Sequence, residues 1–155
     1  MVFDAQTLEF TGEYHILDKE VQKKGLPWVS VDSERGLLYS AQRDNAPCIV
    51  CYDINTFEIV DKIELSEPVH KIQGGEVFDG KLYVATNNDH QSIYRINISD
   101  GQVEKLFDRN LTKLSEGEGM TIVQKNGTDY IVAMDLGSLF INSNLRYYNL
   151  AQFER

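Results

Sequence analysis

Short apolar segments alternate with turn-forming residues along the whole chain, and two of them are near copies of each other. Residues 36–41, Gly-Leu-Leu-Tyr-Ser-Ala, return at 80–85 as Gly-Lys-Leu-Tyr-Val-Ala, which places Tyr39 and Tyr83 about 44 residues apart. The segments that follow also repeat nearly in step. A period of about 40–45 residues made of four short strands is typical of a β-propeller blade. The pattern therefore predicts an all-β protein.

Turn signals such as Asp79-Gly80 and Asn126-Gly127 divide the chain into blades, because glycine accepts the positive φ of tight hairpins. We expect one partial β-propeller domain over residues 1–155, with about three four-stranded antiparallel blades. Its predicted parts are the trailing strands of an incomplete blade at 1–17, complete blades at 26–65 and 70–107, and an incomplete blade at 117–155. The predicted strands of the complete blades are 28–32, 37–42, 48–54 and 58–65, then 75–78, 81–86, 92–98 and 102–107. The last blade is predicted to contain strands at 119–123, 130–134 and 145–150.

Three blades are too few for a closed ring, since closed propellers have roughly 4–8 blades. An open half-ring would expose sheet edges that other chains could pair with. The sequence thus leaves two interpretations: the chain is a fragment of a larger propeller, or two copies associate as a homodimer that completes the ring.

The charge of the chain bears on its partners. The formal net charge is −9, which disfavours nucleic acid and anionic membrane surfaces, because both attract clustered Lys and Arg. The same charge is compatible with cationic ligands or metal ions. No apolar run approaches the roughly 20 residues of a membrane-spanning helix. Residues 1–6 lack the features of a signal peptide, so none is predicted, and the compartment stays open.

Cys48 and Cys51 have the C-x-x-C spacing of some redox and zinc sites. They lie in a β-branched segment, however, and strand residues three apart point to opposite faces. We therefore expect two unpaired packing residues.

Propeller topology predicts which loops share a face. If the four strands of a blade are lettered a to d from the central channel outward, the loops that join strand b to c, and strand d to the next strand a, lie at one end of the blades around the channel mouth. The candidate ligand-binding residues in or next to these loops are His70, Gln73, Glu116 and Asp135. Glu118 is the candidate catalytic residue.

Glu116 and Glu118 are two residues apart, so as strand residues they share a face. Two carboxylates near the channel could bind Ca²⁺ through oxygen ligands. They could instead shift each other's pKa and act as acid and base. A third interpretation is structural, with one carboxylate solvated and the other accepting backbone N–H groups.

Residues 28–137 resemble repeats of the β-propeller superfamily that includes lactonase-like, YVTN-type and phytase-like members. A narrower resemblance, to propeller-type glutaminyl cyclotransferases, rests on the motifs Q-G, G-x-L-Y and G-E-G-[IL]-T in that order. They correspond to Gln-Gly at 73–74, Gly-Lys-Leu-Tyr at 80–83 and Gly-Glu-Gly-Met-Thr at 117–121. This resemblance implies that Glu118 is the acid/base and Gln73 a substrate contact.

Three positions depart from the cyclotransferase pattern. Lys71 and Glu116 stand where that family has aromatic pocket residues, and the Trp that it has at the end of the next strand is replaced near Asp135. The first functional prediction is therefore a binding or scaffolding module that holds a small molecule or a protein partner at the channel-mouth rim. The alternative is an enzyme of the glutaminyl-cyclotransferase type or of the metal-dependent lactonase or phytase-like type.

Overall fold

The structure, a computed structural model, describes residues 1–23 and 25–154, whose regular elements are β-strands and two short 3₁₀ helices, Ser138–Phe140 and Leu150–Gln152. Strands of the first sheet are β1 (Ser30–Asp32), β2 (Leu37–Ser40), β3 (Ala46–Asp53) and β4 (Ile59–Val69). Those of the second are β5 (Ile72–Phe78), β6 (Lys81–Thr86), β7 (Ser92–Asn97) and β8 (Val103–Asp108). The third contains β9 (Glu116–Lys125), β10 (Thr128–Leu136) and β11 (Ser143–Asn149). Among the described residues, no helix is long or apolar enough to span a bilayer.

Each sheet is an antiparallel meander in which strands adjacent in sequence are also adjacent in space. We name the sheets blade 1 (β1–β4), blade 2 (β5–β8) and blade 3 (β9–β11). The partial β-propeller predicted from the repeat is thereby confirmed. The hairpins turn at residues with positive φ, among them Gly36, Gly80 and Gly127.

The cores lie between the blades. The two repeated tyrosines, Tyr39 and Tyr83, occupy the same register, opposite Ser30 in blade 1 and Glu76 in blade 2. Both are almost completely buried. Tyr39 belongs to the apolar cluster that joins blades 1 and 2, and Tyr83 to the cluster that joins blade 2 to Ile131 of blade 3. The repeat in sequence is thus a repeat of inter-blade packing.

Glycines let the innermost strands approach closely. A Cβ atom on Gly74 of β5 would lie 2.7 Å from Cα of Gly119 in β9. A Cβ on Gly75 would lie 2.8 Å from the ring of Trp28, which lies two residues before β1. At these points there is room for backbone but not for side chains, so the inner strands of the three blades lie side by side.

The inner strand of blade 1 begins at Ser30, two residues later than the pattern predicts, whereas those of blades 2 and 3 begin earlier. We expected them from residues 75 and 119, whereas β5 begins at Ile72 and β9 at Glu116. Each strand contains a register shift at its glycines, so pairing continues past the irregularity. The alternation of apolar residues breaks there, which is why the pattern misses these ends.

The first seventeen residues form a narrow hairpin rather than two regular strands. Phe3 and Phe10 form an isolated bridge, and the amide of Val2 donates to the carbonyl of Glu13 at 2.9 Å. At the other end of the chain, β11 is followed by a short 3₁₀ turn, Leu150–Gln152. The cysteines of β3 are both unpaired thiols, as the strand spacing predicted.

Candidate functional site

Strand register brings five loops to one end of the blades. The pairs Ile72↔Thr86 and Glu116↔Leu136 place the start of each inner strand beside the end of the next strand. We call this end the upper face; its loops are residues 41–45, 70–71, 87–91, 109–115 and 137–142. It is the end at which the topology predicted the candidate residues.

Hydrogen bonds link these loops from blade to blade. The amide of Ile72 donates to the carbonyl of Arg43 at 3.1 Å, and the amide of Asn87 donates to the carbonyl of Lys71 at 2.8 Å. The side-chain oxygen of Asn87 then accepts from the amide of Gly117 at 3.1 Å. The upper face is therefore one connected surface across the three blades.

Two partly buried carboxylates, Glu116 and Glu118, lie at the start of β9. Burial raises the pKa of Glu118, and the neighbouring charge of Glu116 raises it further. Arg43 and Arg109 oppose this rise. The structure thus brings the two glutamates together, as their spacing predicted, in a place where a second negative charge is costly.

Asp135 lies behind this pair and is only 2% exposed. One of its oxygens accepts from Nη1 of Arg109 at 2.6 Å, and the other accepts from Nε of Arg146. The side chain of Arg109 is completely buried, and it also donates to the carbonyls of Thr86 at 2.9 Å and Gln91 at 2.8 Å. Asp135 thereby fixes a guanidinium that connects blades 2 and 3.

Gly117, between the two glutamates, makes room for that guanidinium. A Cβ atom at this position would lie 2.7 Å from Cζ of Arg109 and 3.0 Å from the carbonyl oxygen of Thr86. The glycine allows the Arg109 side chain to pass directly beneath β9. The sequence analysis did not single out Arg109, and a glycine between two glutamates was the only signal that pointed to a close approach.

The other two candidates lie on different parts of the upper face. Gln73 lies in the register shift of β5, next to the glycine that contacts β9. His70 lies against the β2–β3 loop, where its Nδ1 accepts from the amide of Asn45 at 3.3 Å and lies 3.9 Å from Oδ1 of Asp44. Gln73 is therefore adjacent to the strand that carries the glutamates, whereas His70 packs against blade 1.

A metal site was one predicted use of the glutamate pair. Within residues 1–23 and 25–154, no group of three or more His, Cys, Asp and Glu side chains is arranged to hold a metal ion. A bound Ca²⁺ would depend on Glu116 and Glu118 together with backbone oxygens. Calcium binding stays a prediction.

Next to Glu116, apolar side chains lie exposed on two upper-face loops. Leu114 in the β8–β9 loop is 66% exposed, and Leu139 and Phe140 in the β10–β11 loop are 68% and 62% exposed. With Asn87 and Glu116 they line a cavity of about 270 Å³. We call Leu114, Leu139 and Phe140 the apolar lip. The alternation of apolar residues did not reveal the apolar lip, although Leu-Phe-Ile at 139–141 in a predicted loop was a visible signal.

The repeated part of the chain also matches a known family of repeats. Residues 12–140 match the profile of a family described as a repeat of unknown function, DUF6923. No curated protein matches the chain in sequence.

Solved structures resemble the fold at low sequence identity. Sqt1 of Saccharomyces cerevisiae matches 80% of the chain with a TM-score of 0.51 and 12% identity. Hydrazine synthase of Kuenenia stuttgartiensis matches 88% with a TM-score of 0.52 and 11% identity. A structural genomics protein of unknown function from Bacteroides thetaiotaomicron matches 77% with a TM-score of 0.50 and 19% identity. The chain spans about a third of each, namely 31%, 38% and 35% of their lengths.

Proposed function

The chain belongs to the DUF6923 family of repeats, and from that premise we propose that it is a binding or scaffolding module of the β-propeller type. Its ligand, a small molecule or a group of a protein partner, is held at the upper face. The observation that carries the proposal is the pair Glu116 and Glu118, two partly buried carboxylates; burial and, after it, the neighbouring charge of Glu116 raise the pKa of Glu118. A propeller fold by itself is compatible with many functions.

A cationic group is the ligand that this pair favours. Each carboxylate raises the energy of the other when both are ionised, and a positive charge between them removes that cost. The attraction is stronger where the groups are partly withdrawn from water. The net charge of −9 also attracts cations to the surface as a whole.

The remaining candidate residues have supporting roles in this proposal. Asp135 is occupied by two arginines, so it holds Arg109 beneath the glutamates rather than contacting the ligand. Gln73 offers an amide from the neighbouring inner strand, and His70 borders the site on the blade 1 side.

The test is binding of a labelled hexa-arginine peptide, with hexaglutamate as the reversed-charge control, measured by fluorescence polarisation at two salt concentrations. We expect Glu116→Gln/Glu118→Gln to weaken hexa-arginine binding about tenfold, since each charged contact contributes up to about 1 kcal/mol. The matched control is Glu9→Gln/Glu58→Gln, which removes the same charge from exposed positions away from the upper face. Equal loss in both double variants would show that only net charge matters and would contradict the proposal.

Calcium is the metal ion that the sequence predicts for this pair. Thermal melting with added CaCl₂ tests this, because a ligand that binds only the folded state raises its melting temperature. The expected result is a rise with wild type and none with Glu116→Gln/Glu118→Gln. If the melting temperature of the wild type does not change, calcium is excluded as the ligand and a cationic organic group stays the candidate.

One observation favours the alternative, an enzyme that resembles glutaminyl cyclotransferases. A carboxyl with a raised pKa, such as that of Glu118, suits proton transfer near neutral pH. The reaction implied by the resemblance is cyclisation of an N-terminal glutamine with release of ammonia. Mass spectrometry of a glutaminyl peptide incubated with wild type and Glu118→Gln tests it. Turnover by wild type and none by Glu118→Gln would support the enzymatic function. No turnover by either protein would favour the binding module over the enzyme.

The predicted homodimer is supported by the open side of blade 3. In blade 2, Ala85 and Ile93 form a cross-strand pair that is fully buried against blade 3. In blade 3, Met134 and Leu145 form a cross-strand pair on the side that faces away from blade 2, and they are 39% and 61% exposed. Size-exclusion chromatography with light scattering should give the mass of two chains. Met134→Lys/Leu145→Lys should restore a single chain, and a wild-type monomer at all concentrations would contradict the homodimer.

A further inference from the structure

The cavity beside the apolar lip adjoins the acidic pair, so one surface combines two kinds of recognition. Glu116 lines the cavity together with Leu114 and Phe140. Glu118 lies two residues farther along the same strand, and its carboxyl interacts with that of Glu116. The acidic pair and the apolar lip are therefore neighbours on one surface, with Glu116 belonging to both the pair and the cavity wall.

The two loops that carry the apolar lip are tied to each other. Oγ of Ser138 in the β10–β11 loop donates to the carbonyl of Lys113 in the β8–β9 loop at 2.8 Å. Inside the β10–β11 loop, the amide of Gly137 donates to the carbonyl of Asn142 at 2.6 Å. The Ser138 bond connects the two loops and the Gly137 bond closes one of them, so the three residues of the apolar lip stay next to each other around the cavity.

The backbone at the lip adopts an unfavourable conformation for large side chains. Leu114, Leu139 and Phe140 have φ values of 67°, 61° and 58°. Large residues seldom adopt positive φ, and such positions persist only where the surroundings hold them. These three side chains are nevertheless exposed to water, so neither local backbone preference nor burial in the chain's own core accounts for them.

We propose that the upper face recognises a protein partner through a basic side chain and an adjacent large apolar side chain, with the basic group at Glu116 and Glu118 and the apolar group in the lip cavity. This inference rests on the proposed function and specifies its partner. Charge complementarity selects the basic group. The volume of about 270 Å³ and the leucine and phenylalanine walls select a leucine- or phenylalanine-sized neighbour.

Both halves of the surface are needed for the affinity that the proposal requires. An exposed ion pair contributes little by itself, since water screens it. A single large apolar side chain withdrawn from water contributes about tenfold or more in affinity. A partner that supplies both groups gains from each, whereas a purely cationic or purely apolar partner gains from one.

The test uses short fluorescein-labelled peptides with glycine on both sides of a two-residue core. The cores are Arg-Phe and Phe-Arg, with Arg-Ser and Glu-Phe as controls that remove one half each. Binding is measured by fluorescence polarisation at low salt. We expect the better of the two Arg/Phe peptides to bind wild type about tenfold more tightly than Arg-Ser or Glu-Phe.

Protein variants separate the two halves. Leu114→Ser/Phe140→Ser should weaken the Arg/Phe peptide about tenfold and leave Arg-Ser binding unchanged. The matched control, Leu8→Ser/Val60→Ser, removes two exposed apolar side chains from outside the upper face and should change neither. Circular dichroism of each variant checks that it is folded, and all four substituted side chains are exposed, so folding should be retained.

The outcomes distinguish this inference from the function on which it rests. If wild type binds Arg-Phe, Phe-Arg and Arg-Ser equally and Glu116→Gln/Glu118→Gln weakens them all, the apolar half is wrong and the cationic site stands. If Glu-Phe binds as tightly as the Arg/Phe peptides, the combined recognition is wrong. If no peptide binds, both the inference and the cationic site fail.

Discussion

Gly117→Ala should destabilise the protein far more than an alanine substitution on an inner strand normally does. The new methyl group would lie 2.7 Å from Cζ of Arg109 and 3.0 Å from the carbonyl oxygen of Thr86. The end of an arginine side chain can usually move aside. Here it cannot do so cheaply, because the Arg109 side chain is completely buried.

The size of the effect follows from the bonds that Arg109 would lose. Its guanidinium donates to Asp135 at 2.6 Å, to Thr86 at 2.9 Å and to Gln91 at 2.8 Å. A hydrogen bond to a charged group contributes about 1.5–3 kcal/mol, and breaking a buried ion pair costs about 3–5 kcal/mol. Partial displacement should therefore cost about 3 kcal/mol, which lowers the melting temperature by about 6–12 °C in a chain of this size.

Thermal unfolding followed by circular dichroism measures this change, and Gly119→Ala is the matched control. A Cβ at Gly119 would have no atom within 4 Å, although it lies only two residues away on the same strand. Gly119→Ala should be neutral or slightly stabilising, because alanine restricts the unfolded chain. If Gly117→Ala melts within 2 °C of Gly119→Ala, the account of Arg109 as a fixed connection between blades is refuted.

Three further predictions use the same assays. The pKa of Glu118 is higher in the folded state than in the unfolded chain, so ionised Glu118 destabilises the fold above its folded-state pKa. Below the pKa of the unfolded chain, Glu118 is protonated in both states and has no such effect. Glu118→Gln should therefore raise the melting temperature by about 1–2 °C at pH 7. The gain should vanish near pH 4, and an equal gain at both pH values would contradict this reasoning. Gly74→Ala would place a methyl group 2.7 Å from Cα of Gly119 and should cost about 2–3 kcal/mol, measured by urea unfolding; a loss below 1 kcal/mol would show that the inner strands can separate. Burial raises the pKa of Cys51 to about 12, so iodoacetamide at pH 8 should leave Cys51 unlabelled until denaturant is added. Labelling of Cys51 in the folded protein, identified by peptide mass spectrometry, would show that β3 opens.

The fold could be read from the sequence because its packing repeats with the sequence. Tyr39 and Tyr83 each fill the space between two blades, so the same packing contact goes with the same motif at both places. Hairpins were visible for a similar reason, since positive φ at Gly80 and Gly127 restricts the residue type. The ends of β5 and β9 were missed, because a register shift changes which residues face the core.

The candidate site could be predicted only in part. The spacing of Glu116 and Glu118 was enough to place them on one face, because strand geometry is regular. The burial of Asp135 and its pairing with Arg109 depend on how blades 2 and 3 pack against each other. No periodicity in the sequence records such a contact. The apolar lip was missed because its leucines and phenylalanine lie in loops, where alternation carries no information.

The most direct test of the account is a map of the binding surface. Backbone amide shifts of the ¹⁵N-labelled protein, recorded by NMR while the Arg-Phe peptide is added, show which residues contact it. The account predicts shifts in the upper-face loops 109–115 and 137–142 and at Glu116 and Glu118. Shifts confined to the opposite end of the blades, at the hairpins 33–36, 79–80 and 126–127, would contradict it.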